Sequence, residues 1–156
     1  LDPLASLVAR SLQLLPALAL LAVGAWRLRE HQLQRDPTLA RRNQAPRIAR
    51  HSLDRARAAI ATPPDFYTHL WEALSLYLAH RFNLDRGRIT TDLILNLATQ
   101  LPLSPPDLDL LAQTLATADE VRFGANPGGD PETRTPQLDL VTRYLRLCDK
   151  ARRLQP

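Results

Sequence analysis

The chain lacks methionine altogether, has one cysteine and five glycines in 156 residues, and carries nineteen arginines against one lysine. Without methionine there is no initiator residue, and a piece of a longer or processed chain is the expectation. A single cysteine, Cys148, excludes an internal disulfide and a cysteine-based metal site. It falls among apolar positions of a late helical pattern and reads as a small buried hydrophobe. The scarcity of glycine removes the phosphate-binding loops. Gly128-Gly129 has no strand–turn–helix context and no following Lys-Ser/Thr. No G-x-S-x-G occurs, and no serine or cysteine stands beside a plausible base. Also missing is the alternation of apolar and polar residues that marks a half-buried strand. The fold class expected is all-α.

What the chain does have is a segregated charge. Residues 27–57 hold nine arginines against Glu30, Asp36 and Asp54, a balance of +6. Residues 58–156 hold ten basic residues against twelve acids, a balance of −2. The basic segment follows an apolar run. From Ser11 to Trp26 there is no formal charge, and extension back to Leu4 adds only Arg10. A membrane span needs roughly 20 mainly apolar residues. Leu14, Leu15, Leu18, Leu20, Leu21 and Val23 surround the helix and leave no polar stripe. Trp26 stands where interfacial aromatics sit, and Arg27 and Arg29 follow at once. A signal peptide would carry its positive charge first. The run therefore reads as a membrane span, with Arg27 onward in the cytoplasm by the positive-inside rule. A helix buried in a soluble bundle or dimer is the competing reading.

Beyond it, Asp36-Pro37 opens a helix expected over 37–61, with Leu39, Ile48, Leu53, Ala56 and Ile60 as its apolar positions and a kink or break at Pro46. Its Arg41, Arg42, Arg47 and Arg50 suit anionic lipid, each worth about 1 kcal/mol near such a surface. They equally suit a solvated face. Thr62-Pro63-Pro64-Asp65 has the form of a capping box. Phe66, Leu70, Leu74, Leu78 and Phe82 then recur every four residues beside Tyr77, while Tyr67 and Trp71 form a second stripe. Two stripes imply a central helix packed on both sides. A helix capped by Thr90 or Thr91 carries Ile89, Leu93, Leu97 and Leu101 inward. Ser104-Pro105 with Asp107 opens another, with Leu108, Leu111 and Leu115 inward, expected to end at Gly124. A loop of about ten residues and a last helix from Thr135-Pro136 follow. The last helix carries Leu138, Val141, Leu145 and Cys148. The organisation expected is a span over 1–26, a basic helix over 27–61, a bundle over 62–125, and a loop with a final helix over 126–156.

Chemistry is harder to find. His69 and His80 share a helix face but stand about 16 Å apart along it. Glu72 is one turn from His69, yet no H-E-x-x-H occurs. A metalloprotein or enzyme built on His69, Glu72 and His80 is the alternative function. Residues 89–123 carry five acids against Arg122 alone, and such a surface repels phosphate, so nucleic acid is not an expected partner. What remains is a contact surface. Arg122-Phe123, at a helix end beside Gly124, either closes the core and pairs with an acid or presents a ring to a partner. Tyr67 and Trp71 are the other candidates for that contact.

The order of these segments resembles a known family. A span ending in arginine is followed by "DPTLARRNQAPRIARHSLDRARAAI", then Phe66-Tyr67 with Leu74, Tyr77 and Leu78. Ile89-Thr90-Thr91-Asp92-Leu93 comes next, then Asp119 through Phe123. Over residues 10–125 this is similar to the C-terminal part of the BatD family, the bacterial oxygen-tolerance proteins. The resemblance implies a single-pass protein of the bacterial inner membrane with a cytoplasmic helical domain. It also implies partners: MoxR-type AAA+ ATPases and von Willebrand factor A-domain membrane proteins. The implied role is that of a scaffold or adaptor in stress tolerance. It supplies no catalytic residue, metal ligand or cofactor, and the expectation is a non-enzyme.

Overall fold

The structure is a computed structural model that describes Val23, residues 37–125, residues 127–151, Leu154 and Pro156. The chain divides into two compact units, Leu1–Ala40 and Arg41–Pro156. Of the first, Val23 (helical and exposed) and residues 37–40 are described. Leu14, Leu15, Leu18, Leu20, Leu21 and Trp26 of the expected span, and Arg27 and Arg29 after it, lie outside the described residues. Among the described residues no helix is long and apolar enough to cross a membrane.

The described residues form five α-helices and no strand. They are α1 (Pro37–Ala58), α2 (Pro63–Phe82), α3 (Thr91–Thr99), α4 (Pro105–Arg122) and α5 (Pro131–Lys150), with a 3-10 turn at Arg86–Arg88. Four of the five open on proline, whose missing N–H costs nothing at the first helical position. Thr90 caps α3 by accepting from the Leu93 N–H at 3.2 Å. At α4 the Asp107 carboxylate accepts from the Ser104 hydroxyl (2.6 Å) and N–H (3.4 Å). Thr62, by contrast, makes no side-chain cap. Pro63 and Pro64 fill the first two positions of α2 just as Pro105 and Pro106 do in α4, so the proline pair does not account for the difference. The last helix starts earlier than expected, because Asp130-Pro131 repeats the acid–proline start and Pro136 is absorbed inside it.

α2 is central, packing on α4 and α5 while α4 also meets α3 and α5. It buries Phe66, Tyr67, Leu70, Ala73, Leu74, Tyr77 and Leu78. α5 buries Leu138, Leu140, Val141, Tyr144, Leu145 and Cys148. Residues 131–150 are therefore part of the core and not an appended segment.

α1 differs from its expected form in two respects. It runs through Pro46 without a break. Its buried stripe is Ala45, Ala49, Ser52 and Ala56, while Leu39 is exposed and Ile48 is half-buried. Spaced four, three and four apart, the small residues form one seam along the helix. Arg41 donates to the Asn83 side-chain oxygen at 3.2 Å, and Arg55 lies 3.8 Å from Glu72. The two ties hold α1 antiparallel to α2. The folded unit thus includes the C-terminal part of the basic segment.

At the other end of α5 sits the largest fully buried side chain, Arg134. Among the described residues no carboxylate lies within ion-pair distance of it. Its guanidinium donates to the carbonyls of Ile60, Gly128 (3.3 Å) and Gly129 (2.6 Å). Both glycines hold positive φ, +96° and +62°, the region that favours glycine. A Cβ on Gly128 would stand 2.2 Å from the Pro63 Cβ. The α1–α2 turn, the loop before α5 and the first turns of α5 are thereby joined through one side chain.

Replacing Arg134 with alanine should lower unfolding stability by about 3 kcal/mol, since one buried and two partly buried carbonyls lose a charged donor. Gly128→Ala should cost at least about 1–2 kcal/mol, whereas Gly87→Ala, with nothing near its Cβ, should leave stability unchanged; urea titration checks all three. A second expectation concerns acid. The Ser104 hydroxyl, aided by Arg143, holds the Asp107 carboxyl below its ordinary 3.8. A lowered folded pKa gives stability that is complete above the ordinary value and lost as pH falls through the folded one. The stability gap between the wild type and Asp107→Asn should therefore be constant near neutrality and close below pH 3.8, as thermal melts across that range would show.

Candidate functional site

The C-terminus of α4 is built by Gly124, at φ +75°. The Gly124 N–H donates to the Val121 carbonyl (3.1 Å) and the Ala125 N–H to the Glu120 carbonyl (2.8 Å). This pair of bonds is the Schellman ending, with glycine in the left-handed position as the sequence predicts. It stops the helix with Phe123 on the outside, 81% exposed. The ring does not close the core.

Arg122 lies between two aromatic rings. Its guanidinium carbon is 5.0 Å from the Trp71 ring centroid and 6.0 Å from that of Phe123. Its Nη1 lies 3.5 Å from Asp119 Oδ1, and the Asp119 carboxylate also accepts from the Thr91 hydroxyl at 3.2 Å. A cation over an aromatic face contributes about 0.5–1 kcal/mol at an exposed site. The cluster is thus a fixed surface feature drawn from α2 and α4, with α3 bracing its acid. Three of the four residues expected at a partner contact, Trp71, Arg122 and Phe123, stand together.

Tyr67 does not join them. It is 1% exposed, its hydroxyl donates to Gln137 Oε1 at 2.9 Å, and its ring meets Phe66 edge to face at 5.0 Å. Burial raises its pKa. One turn before Trp71 on α2, it is covered by α5, which takes it into the core.

The basic residues of α1 do not share a face. At about 100° per residue, Arg41 and Arg42 flank the buried seam on opposite sides, Arg47 lies opposite it, and Arg50 is about 60° from Arg47. All four are exposed. The alternative trio also stays apart. His69 Nδ1 is 3.2 Å from Glu72 Oε2, while His80 lies three turns away with its Nδ1 buried and without a partner. Among the described residues no three His, Cys, Asp or Glu side chains converge as metal ligands would. Cys148 is fully buried, and desolvation pushes its thiol up to about 11, so it stays protonated at neutral pH.

Buried polar groups that escaped the sequence reading include Arg134, Gln137, Thr114 and the Tyr77 hydroxyl. For Arg134 a signal exists. It stands in phase with Leu138, Val141, Leu145 and Cys148, a charge at a core position of the last helix.

Comparison of the chain with family models, with curated proteins and with solved structures finds no match.

Phe123→Ala should change unfolding stability by less than about 0.5 kcal/mol, as for other exposed positions. Tyr67→Phe should cost about 1–2 kcal/mol, because Gln137 is left unpaired in the core. Chemical denaturation of both variants separates the contact surface from the core beneath it.

Proposed function

We propose that the chain is a membrane-anchored adaptor whose helical domain binds protein partners through the surface formed by Trp71, Arg122 and Phe123. The observation that carries this reading is the guanidinium of Arg122 held over Trp71, beside a phenylalanine ring left in water. Tryptophan and arginine are residue types that dominate interface energetics, and a fixed side chain loses little entropy on docking. The apolar run before Trp26 and the arginines after it supply the anchor in this reading. Residues 1–26 cross the bacterial inner membrane once, and the helical domain lies in the cytoplasm. Arg27, Arg29, Arg41, Arg42, Arg47 and Arg50 then meet anionic lipid; the spread of the last four around α1 suits a helix standing near a charged surface as well as one lying on it. The resemblance to the BatD family directs the choice of partners, a MoxR-type AAA+ ATPase and a von Willebrand factor A-domain membrane protein. The role proposed is that of a scaffold in a stress-tolerance assembly, without catalysis of its own.

The test uses the full chain in nanodiscs containing anionic lipid, titrated with each purified partner. Arg122→Ala or Phe123→Ala should weaken the complex about 30-fold, the mark of a hot spot of about 2 kcal/mol. Equal affinity for wild type and variants, or binding to neither partner, would overturn the contact. A full chain that stays monodisperse in buffer without detergent would overturn the anchor.

A further inference from the structure

Away from the aromatic cluster, α1, α2 and α5 enclose a groove of about 300 Å³. Its apolar lining includes Ala49 and Leu53 from α1, Leu145 from α5 and Tyr77 from α2. Arg50 and Arg146 stand on its two sides. Tyr77 is 1% exposed, and its hydroxyl is buried without a hydrogen-bond partner. Buried hydroxyls are nearly always paired, because an unpaired one costs about 1–3 kcal/mol.

The charges sort themselves by pairing. Two acids line the groove, and each already has a cation: Asp54 lies 3.7 Å from Arg57 and Asp149 lies 3.7 Å from Arg81. Arg50 and Arg146 have no acid within ion-pair distance among the described residues. The groove therefore combines an apolar floor and two uncompensated cations at its lips, and one of its lining residues, Tyr77, has a buried hydroxyl without an acceptor. A divalent cation would be repelled. An inorganic anion would leave the apolar wall unused, and a neutral hydrocarbon would leave both guanidinium groups and the hydroxyl unmatched. The volume is at the lower limit for small-molecule sites, which suits one chain and not two.

We propose that this groove binds a single-chain anionic amphiphile, a carboxylate or phosphate head on a short hydrocarbon tail. The tail lies against Ala49, Leu53 and Leu145; Arg50 and Arg146 hold the head, and the Tyr77 hydroxyl donates to one of its oxygens. The site is separate from the adaptor surface and does not depend on it. Arg50 is shared with the lipid-facing reading of α1, but Arg146 and Tyr77 are not, so the two readings fail independently.

The experiment is calorimetric titration of the full chain with decanoate, decyl phosphate, decanol and inorganic phosphate, each amphiphile kept below its micelle concentration. Saturable binding of one equivalent is expected for decanoate or decyl phosphate, and which of the two is tighter identifies the head. Decanol and inorganic phosphate should bind at least about 10-fold more weakly. Arg50→Gln and Arg146→Gln should each weaken binding by about 10-fold, in keeping with a charge-assisted hydrogen bond. Tyr77→Phe should weaken it several-fold while leaving the unliganded protein as stable or more so, since it removes an unpaired polar group. That opposition separates a ligand contact from a structural role. Equal binding of decanol, undiminished binding by an Arg50→Gln/Arg146→Gln double variant, or no saturable binding would overturn the proposal. Unchanged affinity in the double variant would assign the uptake to the apolar N-terminal run.

Discussion

Arg134 is the residue on which the described fold depends. A buried guanidinium without a carboxylate is costly unless its donors are matched, and here carbonyls from two segments, Ile60 and Gly128-Gly129, accept from its two terminal nitrogens, while its Nε has no partner among the described residues. Their positions are set by backbone that only a few sequences adopt: two successive left-handed glycines and a turn that ends at Thr62 before a proline pair. The demands are mutual. The glycines would have no reason to take that course without the cation, and the cation could not be buried without the glycines. The first turns of α5 are thus tied to the turn that joins α1 to α2, 74 residues upstream in the case of Ile60.

The same logic of backbone serving side chain holds at the other end of the site. Glycine at position 124 allows α4 to end abruptly, and an abrupt ending is what leaves Phe123 in water next to Arg122. Were the helix to fray or continue, the ring would be carried away from Trp71. The contact surface therefore rests on hydrogen bonds of the main chain and not on packing of the rings themselves. Asp119 adds an electrostatic restraint, since it shares its carboxylate between Arg122 and the Thr91 hydroxyl.

Much of this was legible in the residues. Proline starts, the apolar spacing of Phe66 to Leu78, the cap at Thr90 and the glycine after Phe123 are local signals, and local signals report local structure. Trp71 was marked by its stripe on α2, and Arg122 and Phe123 by their place at a helix end before glycine. Tyr67 was misplaced because its stripe on α2 extends under α5, and a stripe does not say how deep each member lies. The seam of α1 was missed for a different reason. Attention to Leu39 and Ile48 follows hydrophobicity, whereas close helix packing selects smallness. Arg134 was hidden by its charge, although its phase with Leu138 and Val141 placed it inside. Long-range pairings such as Arg134 with Gly129 or Tyr67 with Gln137 have no signature in one sequence. Whether residues 1–26 form a span lies beyond the described part of the chain.

The alanine and serine seam of α1 has a consequence for how that helix is held. Large side chains interlock and so resist sliding; Ala45, Ala49, Ser52 and Ala56 offer a nearly smooth track. The axial register of α1 on its neighbours is then decided at its edges, by Arg41 on Asn83 and Arg55 near Glu72. Of the two, the exposed Arg55–Glu72 ion pair weakens as ionic strength rises. Position along the track, unlike the core of α2 and α5, thus becomes a property that dissolved ions can tune.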